Sequence, residues 1–425
     1  MRRAYFYRYE QDKRDFKEDV MNNISTKLRY VSKAACAALC ALVLCVGLSV
    51  SLSGCSKPAA QQNDKAASGQ AAPSKITITD VDGKTYTFNK PVDKAIIQYS
   101  GSGGAFMTMS ALFGKDVYKH IAGMDAGLKN YRADMWKAYT KSIPELDKVP
   151  VIGSIGKDFN IEKVLSSNAE VTIIPLDQKK AAADTVQPKL EAAGMKVIYI
   201  DFHDQTMKNH IASIEIMGKI FGKEDRAKEI IAFYKQHREN VEKKVAEALK
   251  TKQRPNMYIE VGIYGPEKYG NTFPNSYMWG GIAHEAGANS IGEGAVSNYG
   301  SMDPEFLLKK NPEKIVFTGS YWPKAPASIR MGFEGNAEQT KKLVDAYFSE
   351  RPGWSALNAW KNKEIYVIHH ALSRDLYDCS SYEFFAKVCF PEQFKDVDPN
   401  ATLKEFYQKF LPFEFSGLWY YTYQK

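Results

Sequence analysis

Glu224 to Lys250 reads EDRAKEIIAFYKQHRENVEKKVAEALK. Ala227, Ile230, Ile231, Tyr234, Val241, Val245, Ala248 and Leu249 recur at spacings of three and four, which makes one apolar stripe of a helix. Lys, Arg, Glu and Gln, strong helix formers, fill the other positions, and no Pro or Gly interrupts them. At 1.5 Å per residue the stretch spans roughly 40 Å, longer than an ordinary globular helix. α/β patterns flank it on both sides. The spacing therefore predicts either a rod joining two lobes with a cleft between them, or a long surface helix on one large α/β domain.

N-terminal to the rod, Ile76–Thr79 and Tyr86–Phe88 alternate around Asp82-Gly83, a hairpin signal. Lys94–Tyr99 reads as a buried strand. Ser100-Gly-Ser-Gly-Gly104 follows, then an apolar helix over Ala105–Phe113 that stops at Gly114. A Gly-rich turn between strand and helix points backbone N–H groups at whatever lies above it. It is not a dinucleotide fingerprint, because the third glycine of G-x-G-x-x-G is missing; the readings left are a ligand-facing loop and a plain tight turn. NYRADMWKAYTKSIPEL, from Asn130, is a polar-aromatic segment placed at a cleft rim. A short strand is expected over Val149–Gly153 and another over Lys196–Ile200. A helix is expected from His203 to Phe221, ended by Gly222. Strands alternating with helices predict parallel sheets.

C-terminal to the rod the pattern restarts with a strand at Met257–Val261 and a short helix between Gly280 and Gly287. Asp303-Pro-Glu-Phe-Leu-Leu-Lys-Lys-Asn-Pro-Glu-Lys-Ile-Val-Phe317 then echoes Asn160-Ile-Glu-Lys-Val-Leu-Ser-Ser-Asn-Ala-Glu-Val-Thr-Ile-Ile174 at an offset of 143 residues. Glu162 matches Glu305, Leu165 matches Leu308, Asn168 matches Asn311 and Glu170 matches Glu313. Each copy reads as a capped helix, a turn and a strand, which favours two lobes of related design. Arg351-Pro-Gly-Trp354 leads to a strand over Glu364–Ile368, and the tail from Pro391 to Phe413 is helical with a cap near Asn400 or Thr402.

The N-terminus reads as an address. Lys27, Arg29 and Lys33 precede an apolar run from Ala34 to Leu52, then Leu52-Ser53-Gly54-Cys55, the pattern of a secretory signal with small residues before the cut. A single membrane span is the competing reading, since about 19 apolar residues just cross a bilayer. Met21 is an alternative start. Ser56–Ser74, rich in Ala, Gln, Ser and Pro, reads as a disordered tether. Beyond Cys55 only Cys379 and Cys389 remain. A helix through both puts them about 15 Å apart, too far for a disulfide, so two unpaired cysteines are expected.

Composition is globular, with 44 % hydrophobic and 25 % charged residues. Of the net charge of +8, residues 1–54 carry half, with nine Lys/Arg against five Asp/Glu. The remainder holds no basic run, which argues against nucleic acid.

The lipobox-like LSGC with its tether, ITITDVDGKTYTF with NKPVDKAII, NIEKVLSSNAEVTII, the single long helix, DPEFLLKKNPEKIVF and RPGW…WKNKEIYVI occur in one order. Together they resemble the substrate-binding lipoproteins of ABC importers for iron–siderophore, haem and cobalamin, over nearly the whole body from Lys75 to about Phe413. No single motif is diagnostic; the ordered set is. The resemblance implies two Rossmann-like α/β lobes joined by one helix: a signal over 1–54, anchor and tether over 55–74, lobes over 75–222 and 253–425, and the link over 223–252. It implies lipidation at Cys55, an extracytoplasmic monomer held at the membrane, and a permease–ATPase partner docked through Glu162 and Glu305. The alternative for those two acids is an ordinary carboxylate in the first turn of a helix.

A binding cleft needs aromatic walls and a few polar groups. The candidates are Tyr99, Ser100, Ser102, Gly103, Tyr264, Trp279, Trp322, Arg330, His370, Arg374 and Tyr377, with Tyr269, Tyr277 and Tyr321 beside them. Arg offers a planar fork to carboxylate or catecholate oxygens. His369-His370 invites a metal reading, but adjacent residues on an extended chain face opposite ways, and no HExxH or Cys pair is present. No metal site, no cofactor and no catalysis are expected. The leading reading is capture of an iron(III)-siderophore-type chelate. Cobalamin, haem, an oxyanion such as molybdate or tungstate, and a metal ion are the alternatives. An exported two-lobe enzyme is the rival class, against which stands the lack of a nucleophile elbow, a P-loop or a paired acid and base.

Overall fold

The computed structural model describes residues 75–99 and 101–424. The signal, Cys55, the tether and Ser100 lie outside the described residues. The long helix is present as Glu224–Ala248, with Glu224 and Asp225 in its first turn, where the helix dipole favours them. Its buried positions are Ala227, Ile230, Phe233, Tyr234, Arg238, Val241, Val245 and Ala248. Phe233 and the buried Arg238 are additions to the predicted stripe.

Strands sort to either side of this helix. Before it come β1 (Ile76–Thr79), β2 (Thr85–Phe88), β3 (Ala95–Ile97), β4 (Ile121–Met124), β5 (Val171–Pro175) and β6 (Lys196–Ile200); β1 and β2 form the predicted hairpin, and β4-β3-β5-β6 form a parallel sheet. After it come β7 (Asn256–Val261), β8 (Asn271–Thr272), β9 (Asn289–Ser290), β10 (Gly300–Ser301), β11 (Lys314–Gly319), β12 (Ile365–His369) and β13 (Tyr420–Thr422). The second sheet runs β13-β12-β11-β7-β9, parallel except for β13. The structure is thus α/β, with two lobes built on parallel sheets.

Helices of the first lobe are α1 (Gly104–Phe113), α2 (Gly127–Tyr131), α3 (Ala133–Ser142), α4 (Ile161–Leu165), α5 (Lys179–Thr185), α6 (Gln187–Ala192) and α7 (Met207–Ile220). The long helix is α8. The second lobe carries α9 (Met278–Glu285), α10 (Pro304–Lys310), α11 (Ala337–Glu350), α12 (Asn358–Lys361), α13 (Cys379–Cys389) and α14 (Pro399–Phe410).

The sequence echo is a structural one. Asn160 and Asp303 cap α4 and α10 through side-chain bonds to Lys163 N and Phe306 N. Asn168 and Asn311 both adopt left-handed backbone, at φ 58° and 44°. Glu170 N–H and carboxylate both bond the start of β3, at Lys94 O and Asp93 N, and Glu313 grips Asn256 at the start of β7 in the same two ways. Asn311 is the C-cap of α10, and Asn168 lies in the turn that follows α4; a short polar side chain tolerates left-handed backbone at both, and each Glu then ties the turn to the neighbouring strand.

One hydrophobic core runs from Ile97, Phe106 and Met217 through Tyr234 on α8 to Val316, Phe385 and Tyr407. Satellite clusters cover the outer faces of the two sheets. The lobes therefore share an apolar floor, which opposes wide separation.

Some local expectations shift. Val149–Gly153 makes one bridge, Met124 to Val151, rather than a strand. The helix expected from His203 begins at Met207 with Thr206 as cap, because the Asp201 carboxylate takes the His203 and Asp204 N–H groups into a turn first. The tail helix is capped by Asp398, ahead of the expected Asn400 or Thr402, with Pro399 in its first turn. Cys379 and Cys389 are free and buried at the two ends of α13.

The left-handed turn gives a test. Asn168→Val is expected to cost about 1–2 kcal/mol in urea unfolding, whereas Asn168→Gly stays within roughly 0.5 kcal/mol of the parent. Equal losses for both would mean that the side chain, not the backbone angle, sets this position.

Candidate ligand-binding site

The C-terminal ends of both parallel sheets open onto one cleft of 570 Å³. Tyr99 and Gly101 follow β3, Asp125 to Arg132 follow β4, Gln178 follows β5 and His203 follows β6. Facing them, Phe273, Tyr277 and Met278 follow β8, Ser320 and Trp322 follow β11, and His370 to Arg374 follow β12. In the first sheet β3 and β5 connect to opposite sides, so the cleft lies at a topological switch point, where open α/β sheets bind ligands.

Each wall carries a stacked tyrosine pair with a guanidinium beside it. Tyr99 and Tyr131 stack at 6.1 Å, with Arg132 5.7 Å from the Tyr99 ring. Tyr277 and Tyr299 also stack at 6.1 Å, with Arg374 5.3 Å from the Tyr277 ring. Tyr131 and Tyr299 stand at the rim, 55 % and 58 % exposed.

The two arginines differ in what they hold. Arg132 donates through Nη1 to Asp375 Oδ2 at 2.5 Å and through Nε to the Tyr99 hydroxyl at 3.2 Å. Arg374 is buried, yet its Nε and Nη2 have no protein partner. Its backbone is left-handed at φ 60°, and so is that of Met278 at φ 44°. Backbone strain at a bulky residue persists only where the surroundings over-determine it, and it clusters at functional sites. An unpaired buried guanidinium is costly and is satisfied by an anion.

His370 presents the opposite character. Trp279 Nε1–H donates to its Nδ1 at 3.2 Å, and Thr318 Oγ1 lies 2.8 Å from the same atom. An indole N–H only donates, so Nδ1 accepts and the neutral ring carries its proton on Nε2. Burial first, then the Arg374 and Arg132 cations, pushes the His370 pKa down to about 3. His370 thus offers a neutral N–H donor beside a charged one.

A family model described as periplasmic binding protein matches residues 125–372. The chain belongs to the periplasmic binding protein family. The TroA-like periplasmic binding protein FepB from Veillonella parvula is 48 % identical, with a TM-score of 0.80 over 82 % of this chain and 100 % of that one. The ABC transporter substrate-binding lipoprotein YvrC of Bacillus subtilis (strain 168) is 24 % identical over 323 residues, 75 % of this chain and 86 % of YvrC. An iron-uptake system-binding protein of the same organism is 25 % identical over 324 residues, 75 % of this chain and 87 % of its own length. The molybdate-binding protein MolA of Haemophilus influenzae is 20 % identical over 356 residues, 78 % and 90 % of the two chains. As a periplasmic binding protein, the chain is the non-enzymatic solute-binding component of an ABC transporter. It works outside the cytoplasm with a permease partner.

In this periplasmic binding protein, Tyr99, Trp322, His370 and Arg374 line the cleft as expected from their loops. Four other candidates lie behind the wall. Ser102 donates its hydroxyl to Arg374 O at 2.9 Å, fixing the strained loop. Gly103 leaves room for the ion pair, since a Cβ there would run into Arg132 Nη1 and Asp375 Oδ2. Trp279 is fully buried behind His370, and Tyr377 is a core residue packed on Phe406 and Tyr407. Tyr264 and Arg330 do not line the cleft; Tyr264 pairs with Lys268, and Arg330 lies over Tyr321. Ser100 lies outside the described residues.

Sequence reasoning missed Asp125, Lys157, Phe273, Tyr299 and Asp375. Tyr131 and Arg132 sat inside the segment placed at the rim, but nothing in it singled them out. Among the described residues no group of three or more His, Cys, Asp or Glu is arranged to hold a metal. His369 turns away from His370, toward Ser320 and Trp419.

His370 titration gives a stability test. The unfolded ring takes a proton near its usual 6.5, and the folded ring resists until about 3, so His370 withdraws stability as pH falls through that window. His370→Gln is expected to lose about 1–2 kcal/mol less than the parent between roughly pH 7 and pH 5 in urea unfolding. Equal losses in the two proteins would overturn the neutral assignment.

Proposed function

We propose that the cleft captures an iron(III)-siderophore-type chelate, an anionic complex with an organic shell, for delivery to the permease. The observation that carries this reading is Arg374: a buried guanidinium with two unpartnered nitrogens, held in strained backbone beside Tyr277 and a neutral histidine donor. The guanidinium groups of Arg132 and Arg374 repel a bare cation and favour an anion, and the tyrosine rings favour a ligand with flat apolar surface. A volume of 570 Å³ falls in the range of organic-ligand pockets, about 300–1,000 Å³, and is large for a bare oxyanion. The iron-uptake relative supports the same choice, and the molybdate-binding MolA supports the oxyanion alternative. Haem and cobalamin are the other organic-shelled alternatives.

Intrinsic fluorescence of the six Trp residues is the readout, titrated with ferric siderophores, haem, cobalamin and molybdate. Saturable quenching by a ferric chelate is expected, and tight molybdate binding with no response to any iron complex would overturn the reading. Arg374→Gln is expected to weaken the anionic ferric chelate about 10- to 100-fold, the worth of one or two charge-assisted hydrogen bonds, with its thermal midpoint kept.

We further propose that Cys55 is lipid-modified, in line with the lipoprotein relative, and anchors the body at the membrane through residues 56–74. Lobes over 75–222 and 253–425, joined by a link over 223–252, belong to the same reading, as does a monomer. Glu162 and Glu305 are the docking acids: both are exposed, and both are second residues of the repeated capped helices α4 and α10. The double reversal Glu162→Lys, Glu305→Lys is expected to cut chelate uptake by cells about tenfold or more, while chelate affinity stays unchanged. Uptake at the parental rate would assign docking to other residues.

A further inference from the structure

Asp375 is fully buried on the second lobe, and its Oδ2 meets Arg132 of the first lobe at 2.5 Å. Its Oδ1 accepts the Leu376 N–H at 3.1 Å. Four phenols also act on it: Tyr99, Tyr139 on α3, Tyr377 on its own segment and Tyr407 on α14. None of these carries positive charge, and Arg132 is the cation that acts on it most strongly. Arg132 therefore holds Asp375 ionised, and it also lines the cleft. Burial already pushes the Asp375 pKa up to about 6 with Arg132 in place.

A multiply charged anion entering between Arg374 and Arg132 competes with Asp375 for the Arg132 guanidinium. A carboxylate with no exposed surface, losing its counter-ion and gaining an anionic neighbour, is disfavoured twice over, by desolvation and by like charge. We propose that a multiply anionic chelate draws Arg132 away from Asp375, and that Asp375 then takes up one proton from solvent, so that binding is coupled to proton uptake. The proton adds to Oδ2 to give the neutral acid; no electron moves, and no bond in the chelate breaks. The inference rests on the chelate reading above.

The coupling follows ligand charge. A trianionic iron(III) tris-catecholate recruits both arginines, whereas a neutral iron(III) trihydroxamate leaves the ion pair closed. Calorimetric titration of the full chain near pH 7, in buffers of different ionisation enthalpy, reads the proton directly. The tris-catecholate is expected to take up about one proton per complex and the trihydroxamate about none. Asp375→Asn is expected to bind the tris-catecholate, at altered affinity, with no proton uptake. Should that variant fail to fold, the parent supplies a second measurement: its affinity for the trianion falls about tenfold per pH unit above roughly pH 6, and its affinity for the neutral chelate stays flat. Tris-catecholate binding without proton uptake in the parent overturns the coupling and leaves the chelate reading standing, as does undiminished uptake in Asp375→Asn. Failure of both chelates to bind overturns the chelate reading and this inference with it.

Discussion

The Arg132–Asp375 ion pair is the constraint on which the cleft depends. It joins the residue before α3 of the first lobe to the segment after β12 of the second. Taking two charges out of water costs several kcal/mol per ion, and only close geometry with further hydrogen bonds offsets it. Here the geometry is secured by what lies around it. Gly103 presents no Cβ, Tyr99 takes the Arg132 Nε–H, and the Leu376 N–H supports the carboxylate. One position over, Ser102 bonds the Arg374 carbonyl across the same seam. An apolar pair would close this seam at least as stably, but it would take the Arg132 guanidinium out of the first wall.

Above that floor the two lobes supply matching equipment from unmatched sequence. Each has a guanidinium beside a tyrosine that is stacked on a second, exposed tyrosine. Yet these residues do not fall at the offset of 143 that relates α4 to α10. The repeated unit lies on the scaffold, in helix caps, left-handed Asn turns and Glu ties to the neighbouring strand. The binding residues come from loops after strand ends, which vary freely once the scaffold is fixed. The cleft thus presents an aromatic face and a guanidinium from each side.

The scaffold was legible in the sequence because its signals are local. A 25-residue helix without Gly or Pro, the capped units at Asn160 and Asp303 and the hairpin at Asp82-Gly83 are all written in a few adjacent residues. The loop after β12 was legible for the same reason, since His370 and Arg374 stand directly beyond a clear strand. What was not legible depends on partners far apart in the chain. Arg132 and Asp375 are separated by 243 residues, and nothing near either names the other. Ser102 and Gly103 were placed at the ligand because a Gly-rich turn reads as a ligand loop; their actual neighbours include Arg374 and Asp375, which come from the other lobe. Tyr264 and Arg330 fit the rule of polar and aromatic residues after strands, but their loops turn them away from the cleft.

Departures from local preference then mark where function sits. Among the described residues, five other than glycine have positive φ: Asn168, Met278, Asn311, Lys363 and Arg374. The two Asn need no special account, since their side chains tolerate left-handed backbone at a helix end. Lys363 makes the turn between α12 and β12, away from the cleft, whereas Met278 and Arg374 line it. At Arg374 three unfavourable features coincide: left-handed backbone, burial, and two unpartnered donors. The Tyr277 ring lies 5.3 Å from the guanidinium but offers Nε and Nη2 no acceptor, and a sequence that folds consistently at almost every other position would not keep such a loop for packing alone. An anion that completes Arg374 removes the largest of the three costs. On the proposed reading, the strained loop presents a guanidinium with two free donors to the cleft before the ligand arrives, so an anion that meets them need not order the loop first.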